Sequence, residues 1–174
     1  MQYGEEETIE MTTTPLRYYS FFVEDYDEKI TLKHETSGSA GLDLRTSCPT
    51  TVQPKTHLAN PITEIDTGIY VEIPEGYFGL VVPRSSTGRW GLRLANTVGI
   101  IDSDYRGPII LAFINDTEYP VELDKGQRIA QLIICPFATQ ICPVQVNKLE
   151  DLSSTKRDKA GFGSTGVKWI ESHE

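Results

Sequence analysis

"GIYVEIPEGYFGLVV", Gly68 to Val82, holds two short apolar or alternating runs around Pro74-Glu75-Gly76. The two-residue period of "YVEI" suits a half-buried strand, and Pro followed by Gly is turn chemistry, so the stretch reads as strand, turn, strand. Working outward, "PIILAFI" (Pro108 to Ile114), "YPVEL" (Tyr119 to Leu123) and "RIAQLII" (Arg128 to Ile134) repeat the signature. Further turn signals stand at Asp66-Thr67-Gly68, Asp116-Thr117-Glu118 and Asp124-Lys125-Gly126. No long 3.6-residue pattern appears; one short helix is allowed around Ser85 to Arg93, and there is no repeat of solenoid length. The pattern predicts an all-β domain, a jelly roll.

The chain has 174 residues, 39% of them apolar, enough for one domain with its own core. A formal net charge of -9 leaves no broad basic face for a nucleic-acid backbone, so a phosphate ligand has to be held by a local pocket. The three cysteines, Cys48, Cys135 and Cys142, lack metal or disulfide spacing and read as buried free thiols in a reducing compartment. Glu5, Glu6 and Glu7 oppose the charge of a signal or transit peptide, and no apolar run has membrane-spanning length. The expected protein is soluble and cytoplasmic, with the nucleus or a virus- or phage-infected host cell as variants. Its expected divisions are an acidic extension (1–14), a β-barrel domain (15–150) and a C-terminal tail (151–174) carrying a glycine-rich lid motif.

Several stretches carry candidate chemistry. In "NTVGIIDSDYRG" (Asn96 to Gly107), apolar strand ends surround Asp102-Ser103-Asp104, which reads as a hairpin tip. It is either an ordinary acidic turn or a general base for water beside Tyr105. "PRSSTGRWG" (Pro83 to Gly91) follows a strand with Arg84, Ser85 and Ser86, either an exposed turn or a cation with hydroxyls for an oxyanion. In "SGSAGLDLR", Asp43 between Leu42 and Leu44 is expected to face away from the core, either solvated or touching magnesium through water. "KGQRIAQLIICP" sets Arg128 and Gln131 in an apolar strand, where the plain reading projects both into solvent. "RDKAGFGSTG" (Arg157 to Gly166) gathers glycines, one Phe and two hydroxyls where chain ends are usually frayed, and looks built for a ligand. His34, His57 and His173 lie outside these stretches and read as surface or structural.

In this order, "AGLDLR", "PRSSTG", "GIIDSDYRG", "KGQRIAQLIICP" and "RDKAGFGSTG" closely resemble the motifs of the trimeric dUTP pyrophosphatase (dUTPase) family. The resemblance implies a jelly-roll homotrimer whose C-terminal segment is contributed to a neighbouring subunit, hydrolysing dUTP to dUMP and pyrophosphate with Mg2+. It implies that Asp102 activates water, that Asn96, Gly99 and Ile101 line the uracil-reading edge, and that Tyr105 lies against the deoxyribose. Phe162 would stack on uracil; Arg84, Ser85, Ser86, Gln131, Arg157, Ser164 and Thr165 would hold phosphates, and Asp43 would reach magnesium through water. Family members commonly have glycine where this chain has Ser86, Asp158 and Ala160. Neither nucleic acid nor membrane is an expected partner. Two other readings are a dCTP deaminase of the same fold, and a regulatory protein contacting an unknown partner through residues 1–14.

Overall fold

The computed structural model of the chain describes residues 14–20, 31–57 and 59–155. The expectations for the extension up to residue 13, for Arg157, Phe162, Ser164 and Thr165, and for His173 fall outside them.

The apolar runs become strands in two four-stranded antiparallel sheets. One sheet has the order β1 (Arg17–Ser20), β4 (Thr63–Glu72), β8 (Pro108–Asn115), β6 (Leu92–Leu94). The other has the order β2 (Leu42–Arg45), β10 (Arg128–Pro136), β5 (Tyr77–Pro83), β7 (Gly99–Ile101). A small ladder pairs β3 (Thr50–Val52) with β9 (Val121–Leu123). Inward residues of both sheets meet in one core: Leu44, Val81, Ala130 and Leu132 from one side, Ile65, Ile69, Val71, Leu92, Leu111 and Phe113 from the other. This is a jelly-roll sandwich, as the period-two pattern predicts. The short helix is present as α1 (Ser85–Arg89), and the hydroxyl of its buried Thr87 donates to the Ile129 carbonyl at 2.7 Å, pinning α1 to β10. These elements belong to a unit that ends at Thr139; a second unit begins at Gln140 and contains one 3-10 turn, Leu149–Asp151, among the described residues.

Gly76 and Gly126, with φ near 84° and 77°, occupy the turns read at Pro74-Glu75-Gly76 and Asp124-Lys125-Gly126. Asp66-Thr67-Gly68, read as a turn, instead lies inside β4 as a bulge. Asp66 pairs with Ile110 and Tyr70 with Pro108, so four steps on β4 oppose two on β8. Because the surplus is even, Ile65, Ile69 and Val71 keep to the core face. The turn-forming side chains satisfy the interrupted ladder: Thr67 donates to the Ile109 carbonyl at 2.8 Å, and Asp66 accepts from the Gly68 amide at 2.7 Å.

The thiols are a second correction. All three are free, but Cys48 and Cys142 are exposed and Cys135 half-buried, because they sit in a loop, in the second unit and near the end of β10 rather than at inward strand positions.

Asp116, after β8, accepts from Lys55 Nζ at 2.7 Å and Arg93 Nε at 2.8 Å, tying the 3-10 turn Lys55–His57 to β6. The Lys55 hydrogen bond, helped by Arg93, holds its carboxyl below the usual aspartate range. A carboxyl depressed by folding stabilises the fold above its unfolded pKa, and that contribution is lost as pH falls through the folded value. Asp116→Asn is therefore expected to lower the unfolding free energy read from urea titration at neutral pH, by about 1 kcal/mol or less for so exposed a cluster. The gap to the wild type should close as pH drops well below about 3.9.

Candidate active site

The site is shaped by where β7 and β8 pair. Gly99–Ile101 pairs with β5 in one sheet, while Pro108–Asn115 pairs with β4 and β6 in the other. The stretch Asp102 to Gly107 is therefore a crossing between sheets, not the hairpin tip read from sequence. Strands that diverge this way leave a gap, and a cavity of about 260 Å³ fills it, lined by Asn96, Gly99, Ile101, Asp102, Tyr105 and Pro108 among others. Among the described residues the edge of β7 toward β8 has no ladder, which leaves its amides and carbonyls available to a planar polar ligand. Asp102 also borders an open recess of about 650 Å³ with Phe78, Ile100 and Phe137, the two phenyl rings edge to face at 6.3 Å.

Local chain geometry aims the lining. Thr97 has φ near 65°, an outlier for a β-branched residue, and the Val98 amide donates to the Asn96 carbonyl at 2.6 Å across it. This γ-turn, whose strain is about 1–3 kcal/mol, sets Asn96 at the cavity wall. At the far wall the Tyr105 amide donates to the Asp102 carbonyl at 3.1 Å. The Tyr105 phenol folds back to donate to the Pro108 carbonyl at 3.0 Å. It crosses Gly107 so closely that a Cβ there would overlap the ring.

The phosphate candidates gather elsewhere. On β10, Gln131 faces Val82 of β5 and Asp43 of β2, and its amide lies 3.5 Å from the Pro83 carbonyl, beside Arg84 and Ser85. Gly41 permits this, since a Cβ would collide with the Gln131 side chain. Asp43 does not face solvent: it is 8% exposed, with Arg84 Nε at 3.1 Å from one oxygen and Arg128 Nη1 at 3.3 Å from the other. The flanking guanidiniums make burial of this charge tolerable where a lone carboxylate would be expelled. Arg128 is likewise held, 3.6 Å from Glu35, which also accepts from Arg45 at 3.1 Å. Ser86 lies in α1, and His34 is exposed.

Within one chain Asp102 and Arg84 lie toward opposite ends of β5. Ile101 stands opposite Gly79, and Arg84 is five residues farther along β5, roughly 17 Å at strand rise. One chain thus presents two half-sites: a cavity with Asp102 and Tyr105, and a cationic end with Arg84, Gln131 and Asp43.

The sequence matches the dUTPase family model over residues 27–166. The chain belongs to the dUTPase family. It is 42% identical to the deoxyuridine 5'-triphosphate nucleotidohydrolase of Anaeromyxobacter sp. (strain Fw109-5), over 77% of this chain and 86% of that protein. It is 41% identical to the enzyme of the same name from Escherichia phage T5, over 75% of this chain and 87% of that protein. Among solved structures it is similar to the dUTPase of Staphylococcus bacteriophage 80alpha with dUPNHPP, at TM-score 0.72 and 27% identity, covering 89% of this chain and all of that one.

Within this dUTPase, sequence reasoning passed over Thr87, Thr97, Arg106, Gly107 and the tie between Arg128 and Asp43. A glycine two places after an aromatic was a readable signal for ring fold-back at Gly107; a β-branched residue at positive φ had none. Asp43→Asn leaves two guanidiniums without their shared charge, and is expected to cost about 1–3 kcal/mol. Thermal denaturation without nucleotide should show a drop of several degrees, whereas a solvent-facing Asp43 would show none.

Proposed function

We propose that the chain hydrolyses dUTP to dUMP and pyrophosphate at a site completed by a neighbouring copy. The carrying observation is the cavity between the splayed β7 and β8, with Asp102 and Tyr105 at its wall. Its size is below the roughly 300–1,000 Å³ of a drug-sized ligand site, which suits base and sugar rather than a whole triphosphate. Asn96 and the free edge of Gly99–Ile101 would pair with uracil, and a mismatched buried donor or acceptor, as cytosine presents, costs about 1–3 kcal/mol. Tyr105 would lie against the deoxyribose and crowd a 2'-hydroxyl.

The triphosphate would extend to Arg84, Ser85, Ser86 and Gln131 of another chain, in keeping with the separation of the half-sites along β5 and with the trimer typical of the family. Asp102 would accept a proton from water as that water attacks the α-phosphorus, and pyrophosphate would leave in line, its charge met by Arg84. No covalent intermediate is needed. Each Asp43 oxygen holds one guanidinium, leaving lone pairs for a metal-bound water. The residues therefore fit Mg2+ arriving on the phosphates and touched through water. When bound, it would neutralise phosphate charge. Arg157, Phe162, Ser164 and Thr165 would close over the nucleotide, a role that rests on the motif resemblance.

In the second unit, Ile141, Val144, Leu149 and Leu152 are more than half exposed, an apolar run whose burial against another copy would favour assembly.

Pyrophosphate release with Mg2+ should be fast from dUTP and far slower from dCTP, dTTP and UTP. Asp102→Asn should keep the fold and nucleotide binding while lowering kcat about a hundredfold or more. The shared site is tested by refolding Asp102→Asn chains with Arg84→Ala chains. In a cyclic trimer that takes the two residues from different subunits, equal mixing should restore about one quarter of wild-type activity. A site drawing both from one chain would regain nothing above the average of the two variants.

A further inference from the structure

Among the described residues no helix backs the turn that carries Asp102 and Tyr105, and the side chains of Asp102, Asp104 and Tyr105 are exposed. Something must fix its main chain if carboxylate and phenol are to keep a constant relative aim. The Tyr105 amide to Asp102 carbonyl bond closes the turn from inside. From outside, one nitrogen of Arg106, Nη1, donates to the Ser103 carbonyl at 2.7 Å and to the Tyr105 carbonyl at 2.8 Å. Such charge-assisted bonds are about twice as strong as neutral ones. Tyr105 is thereby held at two points: its carbonyl by Arg106, its phenol by the Pro108 carbonyl across Gly107. Two anchors on opposite ends of one residue fix its backbone and its ring together. The Ser103 contact ties the same guanidinium to the peptide next to Asp102.

We propose that Arg106 is a positioning residue for dUTP hydrolysis, clamping the turn so that the Asp102 carboxylate and the Tyr105 ring face the nucleotide in one fixed geometry. This rests on the function proposed above. Both bonds come from one nitrogen, which a lysine ammonium can imitate, but its rotating donors do not fix the direction of either bond as the planar guanidinium does. The clamp should therefore tolerate lysine only in part.

The test compares wild type, Arg106→Lys and Arg106→Ala in three measurements: steady-state hydrolysis of dUTP and of UTP, hydrogen exchange of the Tyr105 amide, and thermal denaturation without nucleotide. In Arg106→Ala, kcat for dUTP should fall about ten- to hundredfold with a smaller change in KM, the scale of a misplaced catalytic group. The preference in kcat/KM for dUTP over UTP should shrink in parallel, and the Tyr105 amide should exchange faster while the apo melting temperature barely moves. Arg106→Lys should fall between. An active wild type whose Arg106→Ala variant keeps its kcat, its preference against UTP and its Tyr105 protection overturns the clamp alone. Losses that merely track a lowered melting temperature, with the preference intact, also overturn it by making Arg106 a stability residue. A wild type inert on dUTP overturns the function itself, and the positioning role with it.

Discussion

The divergence of β7 and β8 is the constraint on which the rest of the molecule depends. Two strands joined by six residues would ordinarily pair with each other, and their amides and carbonyls would be consumed in that ladder. Here each is claimed by a different sheet, β7 by β5 and β8 by β4 and β6. The gap stays open because both strands are held from behind by a core that includes Val81, Ile109 and Leu111. The unusual backbone nearby follows from the same divergence. Thr97 bends the chain into β7 at positive φ, Tyr105 folds over Gly107 on the way out, and the bulge in β4 lies opposite Ile109, at the start of β8. Strain and irregularity gather at the cavity and are offset by the regular packing around it.

Legibility in the sequence followed the range of the interaction. Strand character came through because it is written in a two-residue period, and Gly76 and Gly126 were readable because their positive φ is a local demand. What pairs with what was not local. Asp66-Thr67-Gly68 has turn chemistry and uses it, but inside a strand, because β8 offers a partner on both sides of the bulge. Asp43 alternates with leucines and so was set facing away from the core, either solvated or touching magnesium through water; its burial depends on Arg84 and Arg128, which lie 41 and 85 positions away in the chain. The site residues themselves were named from ordered motifs, and most of those in the described region fall into the two half-sites. Arg106 escaped because two hydrogen bonds to backbone carbonyls leave no imprint on residue type.

The proposed function divides labour between the two ends of one sheet. The end near Asp102 supplies shape: a cavity bounded by backbone and a ring held to its own chain. The end near Arg84 supplies charge, through a chain of ion pairs running from Arg45 through Glu35, Arg128 and Asp43 to Arg84. Neither half has reason to bend toward the other, so each can be rigid, and in the proposed shared site precision would be left to the assembly of copies.

The linked guanidiniums have one more consequence, in the speed of encounter. The chain as a whole carries a formal charge of -9, and a nucleoside triphosphate is also an anion, so at low ionic strength, where the Debye length reaches roughly 30 Å, protein and ligand repel at a distance. At short range the ligand meets Arg84 and Arg128, whose partly buried positions make them less sensitive to screening than the surface charges. Moderate salt then removes the long-range repulsion before it weakens the local attraction. Association with the triphosphate is then expected to quicken as ionic strength rises from low values, the reverse of what a basic, polyanion-binding protein shows.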